Sequence, residues 1–304
     1  MTTTTTREDT AAQEWQRWRQ QRDAGLAAPY DWLSVVGYHW VTAGAAADAA
    51  HVPDVPGRWW VDDGTLHVHA EASEDLHLLS TDGVGSARLD GVATVTVEEA
   101  SADRFATVGG GALDDDGPVL VEVLRRGGYY ALRLRDPRAE ARASFTGVPT
   151  FPYDPSWVLD VDLVPYEAPR TVRVGAAAPG LEQLATAVGE VVLRRDGREH
   201  RLVATGRDGS WSVSFSDATS GVLTAAWRVV PVEGDPASGR GTVDLNRAIS
   251  YPYVFSDFGT CPRPVAGNHL DLEVTAGEKA PTGRSGVPPT EGGPTALPGK
   301  QLLP

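Results

Sequence analysis

From Arg58 onward the chain consists of short runs rich in Val, Thr, Trp and Tyr, broken every few residues by Gly or Asp, and this punctuation leaves little room for anything but antiparallel β structure. Alternation is clearest in Val119-Leu120-Val121-Glu122-Val123. Gly127-Gly128 then supplies the positive backbone angles of a tight hairpin, and the chain returns through Tyr129-Tyr130-Ala131-Leu132-Arg133-Leu134-Arg135. Residues 59–61, 66–69, 92–97 and 105–108 are further strand candidates, so the region to about Asp136 reads as one antiparallel unit, a sandwich or partial barrel. A second unit follows: 157–164, 190–195, a turn at Asp196-Gly197, then 199–203, 211–215, 222–230 and 242–246. Closure of this meander into a barrel is compatible with its pattern.

The flanks differ. Residues 9–23 have helical character, with Asp9 or Thr10 as cap, Trp15 and Trp18 on one face, Gly25 as terminator, and Glu14, Arg17, Arg19 and Arg22 on the solvated side. The aromatic stretch 30–41 is expected to pack that helix against the first sheet. Between the β units, 136–155 carries prolines and aromatics that fit an ordered bend better than a flexible linker. After Lys279 the composition turns to Pro, Gly and Thr, as in disorder. The expected protein is mainly β: an N-terminal helix and aromatic segment (1–45), a first β unit (46–150), a second β unit with a Pro-rich loop (151–279) and a disordered tail (280–304).

The 304 residues can bury a substantial core, and 41% hydrophobic with 22% charged residues reads as globular. With 27 Lys and Arg against 41 Asp and Glu, the formal charge of -14 repels a phosphate backbone, so no nucleic acid partner is expected. The single cysteine, Cys261, excludes an internal disulfide framework and a Cys-based zinc site. No apolar run is long enough to cross a bilayer and Met1 is not followed by an apolar signal core, so the expectation is a cytoplasmic protein without a membrane partner, its oligomeric state open.

Three clusters are candidates for chemistry. Arg133 and Arg135 lie two apart on a strand and share a face, where paired guanidiniums hold a carboxylate or phosphate bidentately; the alternative is an arginine ladder over carboxylates of the neighbouring strand. Asp136 follows them directly. In Phe215-Ser216-Asp217-Ala218-Thr219-Ser220-Gly221, Asp217 and Thr219 suit a tight turn, and Asp217 is also a candidate base facing the arginines. In Val243-Asp244-Leu245-Asn246-Arg247, Asp244 and Asn246 point one way at a strand end. Together with Cys261, Asn268, Glu278, Tyr251 and Tyr253 they compose either a polar pocket with aromatic walls or a loop pinned by buried hydrogen bonds. Cys261 is a nucleophile only with a base and an electropositive setting, and otherwise a small buried hydrophobe. His67 and His69 form a strand pair, with His77 further on, but lack evident further ligands, and Asp114-Asp115-Asp116 reads as a solvated turn, so no metal or cofactor is expected.

Several segments carry a resemblance. Asp244-Leu245-Asn246-Arg247-Ala248, Cys261-Pro262-Arg263-Pro264, Asn268 and the closing Ala276-Gly277-Glu278-Lys279 resemble motifs of the bacterial and archaeal family DUF1684, a domain of unknown function. Trp32-Leu33-Ser34-Val35-Val36-Gly37, Arg133 to Asp136, the Phe145 to Pro152 segment and the Asp217 turn resemble it too, so the likeness runs nearly the full chain. The family implies no reaction. The function expected from the three clusters is binding of a small anionic or carboxylate-bearing molecule by Arg133, Arg135, Asp136, Asp217, Thr219, Asp244, Asn246 and Asn268. The alternative is a metal-independent hydrolase or lyase using the same pocket, with Asp217, Asp244 or Cys261 as catalytic candidates.

Overall fold

The computed structural model describes residues 7–41, 44–80, 85–207, 209–282, 286–288 and 295–297. It opens with helix α1 (Arg7–Leu26), which runs past Gly25. The first β unit comprises β1 (Val35–Val41), β2 (Ala50–Val52), β3 (Val55–Asp62), β4 (Thr65–Ala70), β5 (Leu76–Leu79), β6 (Ser86–Arg88), β7 (Gly91–Val95), β8 (Ala102–Val108), β9 (Val119–Arg126) and β10 (Tyr129–Arg135). These form a six-stranded sheet in the order β1-β10-β9-β8-β5-β6 and a four-stranded sheet β2-β3-β4-β7. The two sheets enclose one core in which Trp59, Leu66 and Val68 of the smaller sheet meet Val121, Val123 and Leu132 of the larger. The sandwich expectation holds. The stretch 30–41 supplies more than packing: a short turn at Trp32–Ser34 leads into β1, which forms an edge of the large sheet.

Helix α2 (Glu140–Ala143) and the proline-rich bend follow, and then β11 (Val158–Gly175), β12 (Glu182–Arg195), β13 (Arg198–Arg207), β14 (Ser210–Asp217), β15 (Arg228–Asp235) and β16 (Arg240–Asp244). Each pairs antiparallel with the next and β16 pairs back onto β11, so six strands close into a barrel. Its own core holds Trp157, Val191, Leu193, Val213, Phe215 and Leu245. Gly189 is required here, because a β-carbon would collide with the Trp211 ring and the Val164 carbonyl. Short strands β17 (Ile249–Ser250) and β18 (His269–Leu270) add to its edges.

Two expectations need correction. Residues 222–227 are not strand: the Thr219 carbonyl accepts from the amides of Val222, Leu223 and Thr224, which folds the chain into a compact turn and delays β15 to Arg228. Arg19 and Arg22 are not solvated. They turn inward because Glu278, wholly buried, needs partners: Arg19 Nη1 lies 2.7 Å and Arg22 Nε 3.2 Å from Glu278 Oε1. With the Trp15 indole donating to the Asn246 carbonyl, these contacts seat α1 on the barrel unit.

The β11–β12 hairpin outruns the barrel, and its tip meets the loop 251–263. Ala177 donates to the Cys261 carbonyl at 2.8 Å, Arg263 to the Gly175 carbonyl at 2.8 Å, and Gln183 bonds the Thr260 carbonyl. Phe258 of that loop packs on Tyr38, Leu124 and Ala131, the outer face of the large sheet of the sandwich. Of the tail from Ala280, residues 283–285, 289–294 and 298–304 lie outside the described residues. The described pieces touch the body, with the Trp40 indole donating to the Thr295 carbonyl and Leu297 against Leu181. Among the described residues no helix is long and apolar enough to cross a membrane.

Candidate functional site

The outer face of the large sheet carries a polar row. Tyr38 on β1 stands opposite Arg133 on β10, which stands opposite Glu122 on β9. The register follows from the Gly127-Gly128 turn: Glu122 and Arg133 sit equally far from its centre, so an acid and a base are forced side by side on one face. Arg133 Nε lies 2.6 Å from Glu122 Oε2, and Arg135 Nε lies 2.7 Å from the same oxygen. Trp32 roofs the pair, its ring centre 4.6 Å from the Arg133 guanidinium carbon and 5.1 Å from that of Arg135. Asp31 fixes that roof, accepting from the Trp32 amide through its carboxylate and from Arg135 Nη1 through its carbonyl at 2.7 Å. The arginine ladder over a neighbouring carboxylate is present, on a buried face rather than a solvated one.

Electrostatics follow from this burial. Burial pushes the Glu122 carboxyl up, but the Arg133 and Arg135 guanidiniums outweigh it and hold the group below the usual range, so Glu122 is an anion. Burial lowers Arg135, with Arg133 adding repulsion and Glu122 opposing it. Arg126, further along β9, is lowered chiefly by burial and lies within the field of Tyr38, Arg133 and Glu99. Burial drives the Tyr38 hydroxyl above the ordinary phenol range, and Arg126 and Arg133 only partly counter it.

The decisive detail is what remains unpaired. Arg133 is 4% exposed, yet among the described residues its two terminal nitrogens make no hydrogen bond, the only one being from Nε. Arg135 has the Asp31 carbonyl as a second partner and Arg133 has none. Among the described residues the Tyr38 hydroxyl is also buried with no partner in good hydrogen-bond geometry, the Thr260 side chain being near enough to favour its ionised form weakly.

The other expected residues fall into separate networks. Asp136 turns away from the row and accepts from the Arg138 amide and Nε, both at 2.9 Å. Asp217 lies inside the barrel unit, its Oδ2 2.8 Å from Arg228 Nη2 and its Oδ1 accepting from the Thr219 amide and hydroxyl. Arg228 is fully buried and also donates to the carbonyls of Val274, Ala276 and Glu278, which ties the closing Ala-Gly-Glu-Lys segment to β15. Asp244 and Asn246 do come together, Asn246 Nδ2 bonding Asp244 Oδ1 at 2.9 Å while its two ends clasp the amide and carbonyl of Asp154. Asn268 does the same for Val203 and also bonds the Ser214 carbonyl. These are the pinned-loop bonds weighed for this stretch. Cys261 is buried, and burial pushes its thiol up to about 12. His67 stacks on Trp60, and His77 bonds Asp75 at 3.0 Å.

Glu122, Tyr38, Trp32 and Arg228 were not singled out from the sequence. Glu122 was within reach, since the two-residue turn that marks the hairpin also fixes its partner. Arg228 was not, because its carbonyl partners lie about fifty residues downstream and its anion, Asp217, reaches it only across the fold of the barrel.

Residues 143–279 match the family model described as "Protein of unknown function (DUF1684)". The matched stretch comprises the bend, the barrel and the loop that closes at Glu278 and Lys279, whereas Trp32 to Gly37 and Arg133 to Asp136 lie before it. A solved structure, the solution NMR structure of an uncharacterized protein of Haloarcula marismortui, is 26% identical over 45% of this chain and 78% of its own, with a TM-score of 0.38. No curated protein matches the chain.

Proposed function

We propose that the protein binds a small anionic, carboxylate-bearing molecule at Arg133, between the sandwich sheet and the loop of the barrel unit. One observation carries this reading: a nearly buried guanidinium whose two terminal nitrogens have no hydrogen-bond partner among the described residues. The edge of a planar guanidinium presents two parallel donors. A carboxylate would take both in the bidentate geometry that guanidinium favours. Glu122 does not fill that role, because one of its oxygens is shared between two arginines through their Nε atoms.

The hydrolase or lyase alternative draws less support. The oxygens of Asp217 and Asp244 are occupied by Arg228, Thr219, Asn246 and Arg247, and the raised Cys261 thiol has little thiolate near neutral pH.

Thermal unfolding of the full chain with added small carboxylates tests the binding reading. At about a hundredfold excess over Kd, bound ligand raises the wild-type midpoint by roughly 5 °C or more. The expected result is that Arg133→Gln loses this shift. Equal stabilisation of wild type, Arg133→Gln and Arg135→Ala would remove the proposal.

A further inference from the structure

Resting on that reading, we infer the class of ligand: a small 2-hydroxy- or 2-oxo-carboxylate, its carboxylate held by Arg133 and its neighbouring oxygen held by the Tyr38 hydroxyl. The inference comes from a second unpartnered group on the same row. Tyr38 is 2% exposed, its hydroxyl has no partner in good hydrogen-bond geometry among the described residues, and its Cα faces that of Arg133 directly across the β1–β10 ladder. Side chains directly opposite in such a ladder stand about 5 Å apart at their β-carbons, which brings both polar ends within reach of one small molecule. A buried orphan hydroxyl calls for an occupant, either water or ligand.

The chemistry of that occupant follows from the groups around it. Arg133 offers only donors, in a planar pair that matches a planar carboxylate. A phenol both donates and accepts, so it serves a hydroxyl or a keto oxygen equally well. Arg135 has Asp31 as well as Glu122 on its side, so the unpaired positive edge is that of Arg133, and one negative charge on the ligand answers it better than two. Phe258 packs against the Tyr38 ring, and Trp32 covers the guanidinium faces, leaving the edge of Arg133 for contact. A body of a few carbons suits so closed a setting, and admitting it requires the loop that carries Phe258, Thr260 and Cys261 to yield.

Isothermal titration of the full chain with lactate, pyruvate, propionate and inorganic phosphate separates the possibilities. Propionate has the carboxylate without the second oxygen, and phosphate tests a tetrahedral anion. The expected result is that lactate or pyruvate binds wild type at least roughly tenfold tighter than propionate, since losing a matched polar contact to a buried group costs about that much. Tyr38→Phe abolishes that preference while leaving propionate affinity unchanged, and Arg133→Lys weakens all three carboxylates. Tyr38→Phe removes a hydroxyl that has only the Thr260 side chain nearby among the described residues, so its unfolding midpoint stays close to that of wild type and serves as the folding control. Propionate binding as tightly as lactate, or a preference that survives in Tyr38→Phe, overturns the ligand class while Arg133-dependent binding stands. Phosphate binding most tightly also overturns it. No Arg133-dependent binding of any probe removes both the ligand class and the binding reading beneath it.

Discussion

Two buried arginine–carboxylate sites in this molecule have opposite characters. In the barrel unit, Arg228 and Asp217 are both wholly buried, the guanidinium reaches one carboxylate and three carbonyls, and Asp217 is further held by Thr219. On the sandwich sheet, Arg133 and Arg135 share one oxygen of Glu122, and the terminal nitrogens of Arg133 are unused. Both sites hold ionised groups away from water, so burial alone does not tell them apart. The distinction lies in the terminal nitrogens: both of those of Arg228 are filled by its own chain and only its buried Nε is left unpaired, whereas Arg133 uses Nε and has a terminal pair with capacity for a guest.

Removing each carboxylate breaks or sharpens this contrast. The largest effect is expected at the closed joint. Asp217→Ala leaves Arg228 charged, fully buried and without its anion, and is expected to lower stability by about 3–5 kcal/mol in urea unfolding. Added acetate is not expected to restore it, because the joint has no opening. A loss below about 1 kcal/mol would show that the joint is not closed.

Glu122→Gln is expected to cost less, about 2–3 kcal/mol, because Arg135 keeps the Asp31 carbonyl and Trp32 still covers both guanidiniums. Here acetate is expected to restore part of the loss, and failure of that rescue would erase the difference between the two sites. The pH dependence has a definite sign. The folded-state pKa of Glu122 lies below its ordinary value of 4.5, so its contribution is complete above that value and is lost as pH falls through the folded pKa. Glu122→Gln lacks that contribution, so its acid limb is expected to be shallower than that of wild type.

The smallest effect concerns Cys261, which borders the open site through the field of Arg133 and Arg126 but is itself packed shut. With its thiol pushed up to about 12, reaction with a disulfide reagent at pH 8 is expected to be about 10³-fold slower in the native chain than in urea. Comparable rates would place the thiolate in an accessible, electropositive pocket and reopen a nucleophilic role.

Much of the fold is legible along the chain. The Gly127-Gly128 and Asp196-Gly197 turns mark hairpins that the structure contains, and β10 has the bounds its alternation suggests. Legibility fails where a segment answers to distant partners. Residues 222–227 look apolar enough for a strand, but Thr219 gathers their amides into a turn. Arg19 and Arg22 look like the wet side of a helix, but Glu278 arrives from the far end of the barrel unit's closing loop and draws them in. The expected site suffers from the same limit. Asp217, Asp244, Asn246 and Asn268 are polar residues with structural tasks that only their partners reveal: Arg228, Asp154, Val203 and Ser214.

By itself the sequence determined the β architecture, the hairpins and the sharing of one face by Arg133 and Arg135, because period-two alternation and turn chemistry are local properties of the backbone. Only the tertiary structure decided that the second unit closes into a barrel, that Asp217 answers to Arg228 rather than to Arg133, and that Arg133 keeps two donors free. Those outcomes depend on which groups burial brings within hydrogen-bonding distance, and that distance is set by the packing of segments far apart in the chain.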